Sequence, residues 1–497
     1  MAERCSTNPS WAATPAAYAA ANTDGQLQSW WTSQPQPASF ARQLGQSFGD
    51  QRTFFECGIG REASCTIPGC DVFVKAEDPV WSYQALMSVV NLNMYFNAIH
   101  DGVVAGQLTY TNFIPEIAQN FFPPQSQDFP FGDALPWIIA ILTILFAFPL
   151  LAGEGAALVG VGAGALLIGS ATTVNDQFEP SLPSSVLSVV DMQNYAGKYG
   201  ESTRGAISDW ANATFEGTVD ASGQNVLDYI KGGAFVDPKA MPSSKAIESF
   251  YRKQMVSRTI NAKWRQSKVF VMFTQTSNEE DLSGPNQTKY YSKEDRGVYY
   301  LYEIYEGSRM TSTLGKPEGL DKLNGEYFEI SGQDVSKSSA RSFRAGTFNY
   351  TAEQQIKDLE AAIASNHAVD PFADGAGWSG TWTIPVCDTG LHNWNAQYDD
   401  TTSRYGRLPC CCGKDCIDTK AFIEAANIKG SQTFLRGCYE QLKVSQIQFE
   451  DVDYGYAWKT SFMIAWANWN DGVRAGVILG MTAGVALVVL IGCCMCA

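Results

Sequence analysis

Along this chain the apolar residues keep helical spacing in some stretches, alternate in others, and in two places run on with no polar partner face. From Val80 to Leu108, residues Trp81, Leu86, Val89, Val90, Leu92, Tyr95, Phe96, Ile99 and Val103 recur at helical spacing. That pattern predicts a long, largely buried helix. Thr111–Phe122 predicts a second, shorter helix, stopped by Pro123-Pro124. Leu27–Trp31 and Phe40–Phe48 read as short helices, and residues 181–266 as mostly helical, with amphipathic Val186–Tyr199 and Met241–Trp264 separated by Gly, Asp and Pro breaks. The period then changes. Lys268–Thr274 and Gly297–Tyr305 are β-branched and aromatic and predict strands, with Glu326–Ser331 as a further one. Ala352–Ser365 is an amphipathic helix with Thr351 as its N-cap. The expected class is α+β, mostly helical, with a small antiparallel sheet.

The two unbroken apolar runs add a membrane component. Leu135–Val174 holds two blocks, Pro136–Ala152 and Ala156–Ala171, divided by Gly153-Glu154-Gly155. Each block approaches the length needed to cross a hydrocarbon core. No Lys or Arg occurs between Lys75 and Lys198, and the near flanks carry Asp128, Asp133, Asp176 and Glu179 instead. Cytoplasmic flanks are normally basic, so the expectation is a hydrophobic helical hairpin with both ends on the non-cytoplasmic side, or a segment buried in protein. Its Gly/Ala-rich second half suits close helix packing. Gly476–Cys496 carries no charge and closes the chain, which predicts a C-terminal transmembrane helix within residues 473–497. A GPI signal is the rival, but Asn470-Asp471-Gly472 lie too close to the apolar run for a spacer. Before it, Trp458, Phe462, Trp466 and Trp469 share one helical face. Trp458, Trp466 and Trp469 are therefore candidates for the membrane interface, with a stripe packed into a core as the alternative.

Charge narrows the partners. The 497 residues include 17% charged positions and carry a formal net charge of −16. Such acidity disfavours nucleic-acid binding and electrostatic attachment to anionic lipid. Membrane lipid is thus expected as a partner through apolar contact alone. Self-association or a protein partner is expected at the hairpin. Met1–Gly25 lacks the apolar core of a signal peptide, so either the N-terminus is a processed one or export relies on an internal segment.

Of the 13 cysteines, ten precede the terminal run: Cys5, Cys57, Cys65, Cys70, Cys387, Cys410, Cys411, Cys412, Cys416 and Cys438. They fall into two clusters and read as disulfide candidates of undetermined connectivity. A zinc site is the alternative for the first cluster, but the spacings match no common finger and no histidine is near. The adjacent Cys410-Cys411-Cys412 favour partners elsewhere, since vicinal bridges are strained; a metal cluster is the alternative there. Cys493, Cys494 and Cys496 are candidates for lipidation or inert thiols. Asn212, Asn286 and Asn349 each head an Asn-X-Thr triplet and are glycosylation candidates, though such triplets also arise by chance.

A search for chemistry returns little. Gly377-Trp378-Ser379-Gly380 fails the nucleophile-elbow spacing. The three histidines, His100, His367 and His392, form no metal motif, and His100 beside Asp101 reads as structural. Gly307–Pro317 resembles a phosphate-binding loop only superficially, because Met310 stands at a glycine position and Pro317 replaces the hydroxyl residue. Asp451-Val452-Asp453 begins like a calcium loop, but Phe462 occupies the position of the bidentate carboxylate. Glu279-Glu280 and Asp399-Asp400 read as solvated. No catalytic residue, metal or cofactor is expected, and the chain is not expected to be an enzyme.

These features suggest a cysteine-bearing module over residues 1–75, a helical segment over 76–134 and the hairpin over 135–174. An α+β ectodomain over 175–370, a cysteine-rich module over 371–453, an aromatic membrane-proximal helix over 454–472 and the anchor over 473–497 follow. The blocks FFECGIGREASCTIPGCDVF, NLNMYFNAIHDGV and IPVC with LPCCCGKDC, set around an apolar centre, resemble cysteine-rich, membrane-anchored surface and secreted proteins of filamentous fungi. The resemblance implies export and supplies no catalytic residues; the absent signal peptide departs from it. The expected function is that of a membrane-anchored, disulfide-bonded, glycosylated structural or interaction protein, at the cell surface or on another exoplasmic-facing membrane. The alternative is a membrane-remodelling protein, fusogen-like or pore-forming, acting through 135–174, although the long heptads of helical fusogens are missing.

Overall fold

The computed structural model describes residues 8–34, 39–49, 54–122, 189–218, 225–237, 243–277, 286–306, 312–323, 328–348 and 377–388, with single residues or short runs at 279, 350–361 and 421–426. In chain order the helices are α1 (Pro15–Ala20), α2 (Thr23–Thr32), α3 (Phe40–Ser47), α4 (Cys70–Lys75), α5 (Val80–Phe121), α6 (Val189–Glu216), α7 (Val226–Ile230), α8 (Ser244–Gln266), α9 (Leu320–Leu323) and α10 (Gly332–Gly346). The strands are β1 (Val269–Gln275), β2 (Tyr290–Ser292), β3 (Gly297–Glu306), β4 (Ser312–Gly315) and β5 (Val386–Asp388). The class is α+β and mostly helical. Two compact units emerge, one drawn from Met1–Lys263, Asp321–Ile330 and Arg344–Thr383, the other from Trp264–Leu320, Ser331–Phe343 and Ile384–Ala497.

The helical unit is built on α5, a single helix of 42 residues. The sequence pattern suggests a break before Thr111, yet the helix continues through Gly102, Gly106 and Pro115. The reason lies in packing. A Cβ at Gly102 would meet the Ser244 carbonyl oxygen and Ile247 Cβ of α8 at 2.7 Å, and one at Gly106 the Glu248 carbonyl oxygen at 3.0 Å. The two glycines, one turn apart, let α8 lie directly on α5, and this contact outweighs their weak helix propensity. Helix α6 packs on another side: Phe96 meets Trp210 and Phe215 edge-on at 5.9 and 5.8 Å. It is also longer than the sequence pattern implies, because Met192, Ala196, Gly200, Thr203, Ile207, Trp210 and Phe215 carry one buried stripe past Tyr199.

Among the described residues of the sheet unit, the order is β2-β3-β1-β5, with β4 also on β3. β1 and β3 are antiparallel from Val269↔Glu303 to Gln275↔Gly297. β5, however, lies parallel to β1, with Val271↔Val386 and Phe273↔Asp388. The sheet is therefore mixed, and the all-antiparallel expectation is corrected. β5 arrives from a distant part of the chain, so no hairpin constrains its direction. All of β1 but Gln275 is buried. Phe270 stacks on Tyr302 at 5.9 Å and meets Phe422 at 5.7 Å.

Among the described residues of Glu326–Ser331 no strand forms. Residues 328–331 are non-strand, and Ser331 instead caps α10: its Oγ accepts from Asp334 N–H at 3.0 Å, while Asp334 Oδ2 accepts from Ser331 N–H at 3.1 Å. This reciprocal pair satisfies amides at a helix start. The Thr351 cap is present, with Gln354 N–H donating to its Oγ1 at 3.2 Å. Among the described residues no helix is long and apolar enough to cross a membrane. Leu135–Val174 and residues 454–497, including Trp458, Trp466, Trp469, Cys493, Cys494 and Cys496, lie outside the described residues, and with them the expected hairpin and the expected membrane-spanning helix of 473–497.

Candidate functional site: a clamped disulfide loop

Cys57 and Cys65 are joined by a disulfide, eight positions apart, with Cα atoms at 4.8 Å. The intervening loop is held from below by α5. Asn93 Oδ1 accepts from Gly58 N–H and Asn97 Oδ1 from Gly60 N–H, both at 2.7 Å. Asn97 Nδ2 returns a bond to the Gly58 carbonyl at 3.1 Å. Four positions apart, the two asparagines face the same way on the helix. They pair the main-chain groups of buried Gly58, which would otherwise be unmet, and the amide of Gly60 at its edge. Above the loop, Ser64 Oγ donates to the Glu56 carbonyl at 2.9 Å, and Cys65 N–H to the Arg61 carbonyl at 3.0 Å. Phe55 is buried against α3, where a Cβ on Gly45 would fall within its ring.

The outer face is charged and open. Glu56 bridges Arg42 and Arg61, whose side chains are 52% and 54% exposed. Such a pair in solvent adds little stability. Residues 60–63 are exposed, as is Phe54 at 84%. The result is a rigid backbone that presents a mixed charged and aromatic surface. Cys70 is also disulfide-bonded, as is Cys387 in β5. Cys5, Cys410, Cys411, Cys412, Cys416 and Cys438 lie outside the described residues.

A second polar cluster of the helical unit lies on α8, most of whose polar side chains are buried. Arg258 Nη1 donates to the Gly380 carbonyl at 2.8 Å and Nη2 to Gln355 Oε1 at 3.0 Å. Gln254 Nε2 donates to Thr381 Oγ1 at 3.1 Å, and Asn261 Oδ1 accepts from Thr383 N–H at 2.9 Å. Tyr350 donates to Asp358 Oδ2 at 2.6 Å; burial, with that carboxylate, pushes its hydroxyl pKa upward. The cluster fixes the path of residues 379–383. Ser379 lies there in an isolated bridge with Trp382 and not at a strand-to-helix elbow.

The remaining candidates fall apart in space. His100 Nδ1 lies 3.2 Å from its neighbour Asp101 Oδ1, with the Asp101 side chain 64% exposed. β4 occupies Ser312–Gly315 within the stretch that resembles a phosphate loop, so an extended strand paired with β3 stands where the loop that cradles phosphate would be needed. Among the described residues no group of three or more His, Cys, Asp or Glu side chains is placed to hold a metal. His367, His392, Asn349 and Asp451–Phe462 lie outside the described residues. Asn212 is exposed on α6. Asn286 opens a 3-10 turn whose Thr288 is buried, its Oγ1 accepting from Leu301 N–H at 3.0 Å. A structural task therefore accounts for that threonine.

Asn93 and Asn97 are the residues that sequence reasoning missed. Their signal was three asparagines, with Asn91, inside an otherwise apolar helical stretch. No family model matches the chain, and no curated protein or solved structure matches it.

Proposed function

We propose that this chain is a structural or interaction protein of an exoplasmic membrane face, held by residues 473–497 and presenting the Cys57–Cys65 loop as a contact surface. The observation that carries the reading is that loop: an oxidised bridge beneath an exposed, charged surface, with its backbone pinned by two buried asparagines. Disulfides persist in oxidising compartments. Cys70 and Cys387 in disulfide form add to this. Several buried polar side chains of α5 and α8, Asn91, Gln107 and Arg258 among them, donate to main-chain carbonyls, which suits a scaffold more than a reaction centre.

The test is expression of the full chain in a eukaryotic secretory host. Alkaline carbonate should leave it in the membrane pellet, and peptide mapping without reductant should recover Cys57 linked to Cys65. Extraction into the supernatant, with both thiols open to alkylation, would overturn the reading. The apolar blocks of Leu135–Val174 favour a second reading, membrane remodelling. Dye release from liposomes by the chain lacking 473–497 would support it, and silence at every pH would remove it.

A further inference from the structure

Asn212 and the disulfide loop are neighbours. A Cβ built on Gly58 would lie 3.6 Å from Asn212 Oδ1 and 3.6 Å from Arg61 Cδ, so the two side chains flank the same stretch of loop backbone. Asn212 is exposed and heads the triplet Asn212-Ala213-Thr214. We propose that Asn212 carries an N-linked glycan that borders the disulfide loop and screens the Arg61–Glu62 peptide bond from proteases. The proposal rests on the exoplasmic reading, since the sugar donor is found only on that side.

In the transfer, the Asn212 amide nitrogen attacks the anomeric carbon of a polyprenyl-pyrophosphate-linked oligosaccharide. The N–C1 bond forms, the C1–O bond to pyrophosphate breaks, and the amide proton is lost as the lipid pyrophosphate departs. Nothing is oxidised or reduced. The fold also sets the timing. Thr214, which the transferring enzyme must read, is fully buried, and its Oγ1 donates to the Trp210 carbonyl at 2.9 Å. The sugar must therefore be added before α6 packs. Once folded, Asn212 remains outside, where a bulky hydrophilic group is tolerated.

The test uses the full chain from a yeast secretory host, digested with endoglycosidase H. Wild type should lose the mass of a high-mannose glycan that Asn212→Gln lacks and Thr214→Ser retains. Thr214→Val removes the acceptor triplet without changing Asn212, so it guards against a folding defect in the first variant. Limited trypsin digestion, read on reducing gels, should cut after Arg61 several-fold faster in the Asn212→Gln protein or after deglycosylation. An unchanged glycan mass in Asn212→Gln would overturn the proposal while leaving the exoplasmic reading intact. So would a sugar-free protein whose Cys57–Cys65 bridge is formed. A sugar-free protein with both thiols reactive would overturn both. A glycan at Asn212 with unaltered cutting at Arg61 would overturn the screening.

Discussion

In the helical unit, Gln84, Asn91, Asn93 and Asn97 of a single helix reach out to main-chain groups of largely irregular segments, residues 10–12, 235–236 and 58–60, and Gln107 reaches the Ala196 carbonyl of α6. In the sheet unit, β1 and β3 pair main chain with main chain over their whole overlap, and the side chains between them are chiefly aromatic and aliphatic. Buried amides and carbonyls need partners in both cases. A ladder supplies them from geometry, whereas an irregular segment against a helix needs a side chain of suitable length at each point. The helical unit thus depends on individual residues more than the sheet unit does.

That contrast is easiest to break where the helices touch. Gly102→Val would drive a branched side chain into the Ser244 carbonyl and Ile247. A loss of about 3 kcal/mol is expected for such overpacking, read as a fall in urea midpoint. Gly197 on α6 is the control: nothing lies within 4 Å of its added Cβ, so Gly197→Ala should gain ~0.5–1 kcal/mol by helix propensity. If both changes behave alike, close packing of α5 on α8 is not what holds the unit.

Next come the clamps. Asn97→Ala removes bonds to Gly60 and Gly58 and should cost about 2 kcal/mol, with non-additive effects when combined with Asn93→Ala. In the sheet unit, Thr288→Val removes the bond from Leu301 N–H and should cost about 1 kcal/mol. Equal losses in urea melts would erase the distinction between the units.

Alkali should attack the helical unit through its tyrosines. Burial pushes the Tyr110 hydroxyl up to about 12, and moves Tyr95 and Tyr251 upward as well. Groups whose pKa is raised on folding stabilise fully below the unfolded value, near 10 for tyrosine, and lose that contribution as pH climbs to the folded value. Tyrosinate absorbance should therefore rise steeply above pH ~10 together with loss of helical circular dichroism. Gradual titration around the ordinary tyrosine value with helix intact would contradict it.

The smallest effect is expected at Glu329, whose carboxyl is held below its usual range by the hydrogen bond from Arg252, with Lys253 beside it. Its side chain is 52% exposed, so the contribution is at most ~0.5 kcal/mol. Being a lowered acid, it is present above the ordinary glutamate value and disappears as pH falls through the folded one. Glu329→Gln should flatten stability on the acid side only.

Elements with a strong local pattern were legible in the sequence. α8, β1 and β3 lie within a few residues of where periodicity places them, α5 starts at the expected Val80, and the Cys57–Cys65 pair belongs to the expected cluster. Failures came where a distant segment decides. The junction between Leu108 and Thr111 looks like a helix end until α8 lies against the helix at Gly102 and Gly106. Phe328 and Ile330 look like a strand until Ser331 caps the next helix. β5 is three residues long, too short for a pattern, and its parallel direction depends on β1. For the loop, cysteine spacing gave the bridge, but the role of Asn93 and Asn97 required knowing which backbone they face.

The α8 cluster has a consequence for synthesis on the ribosome. Arg258 and its acceptor at Gly380 are 122 positions apart, and the residues between them include much of the other unit. At roughly 5–20 residues per second of elongation, about 6–24 seconds pass between their emergence. During that interval Gln254, Arg258 and Asn261 lack the partners that residues 380–383 supply, and a helix destined for the interior waits with that part of its polar face hydrated. The helical unit is therefore completed late, after β1 and β3 have been made, by a segment that arrives close to the end of its own sequence.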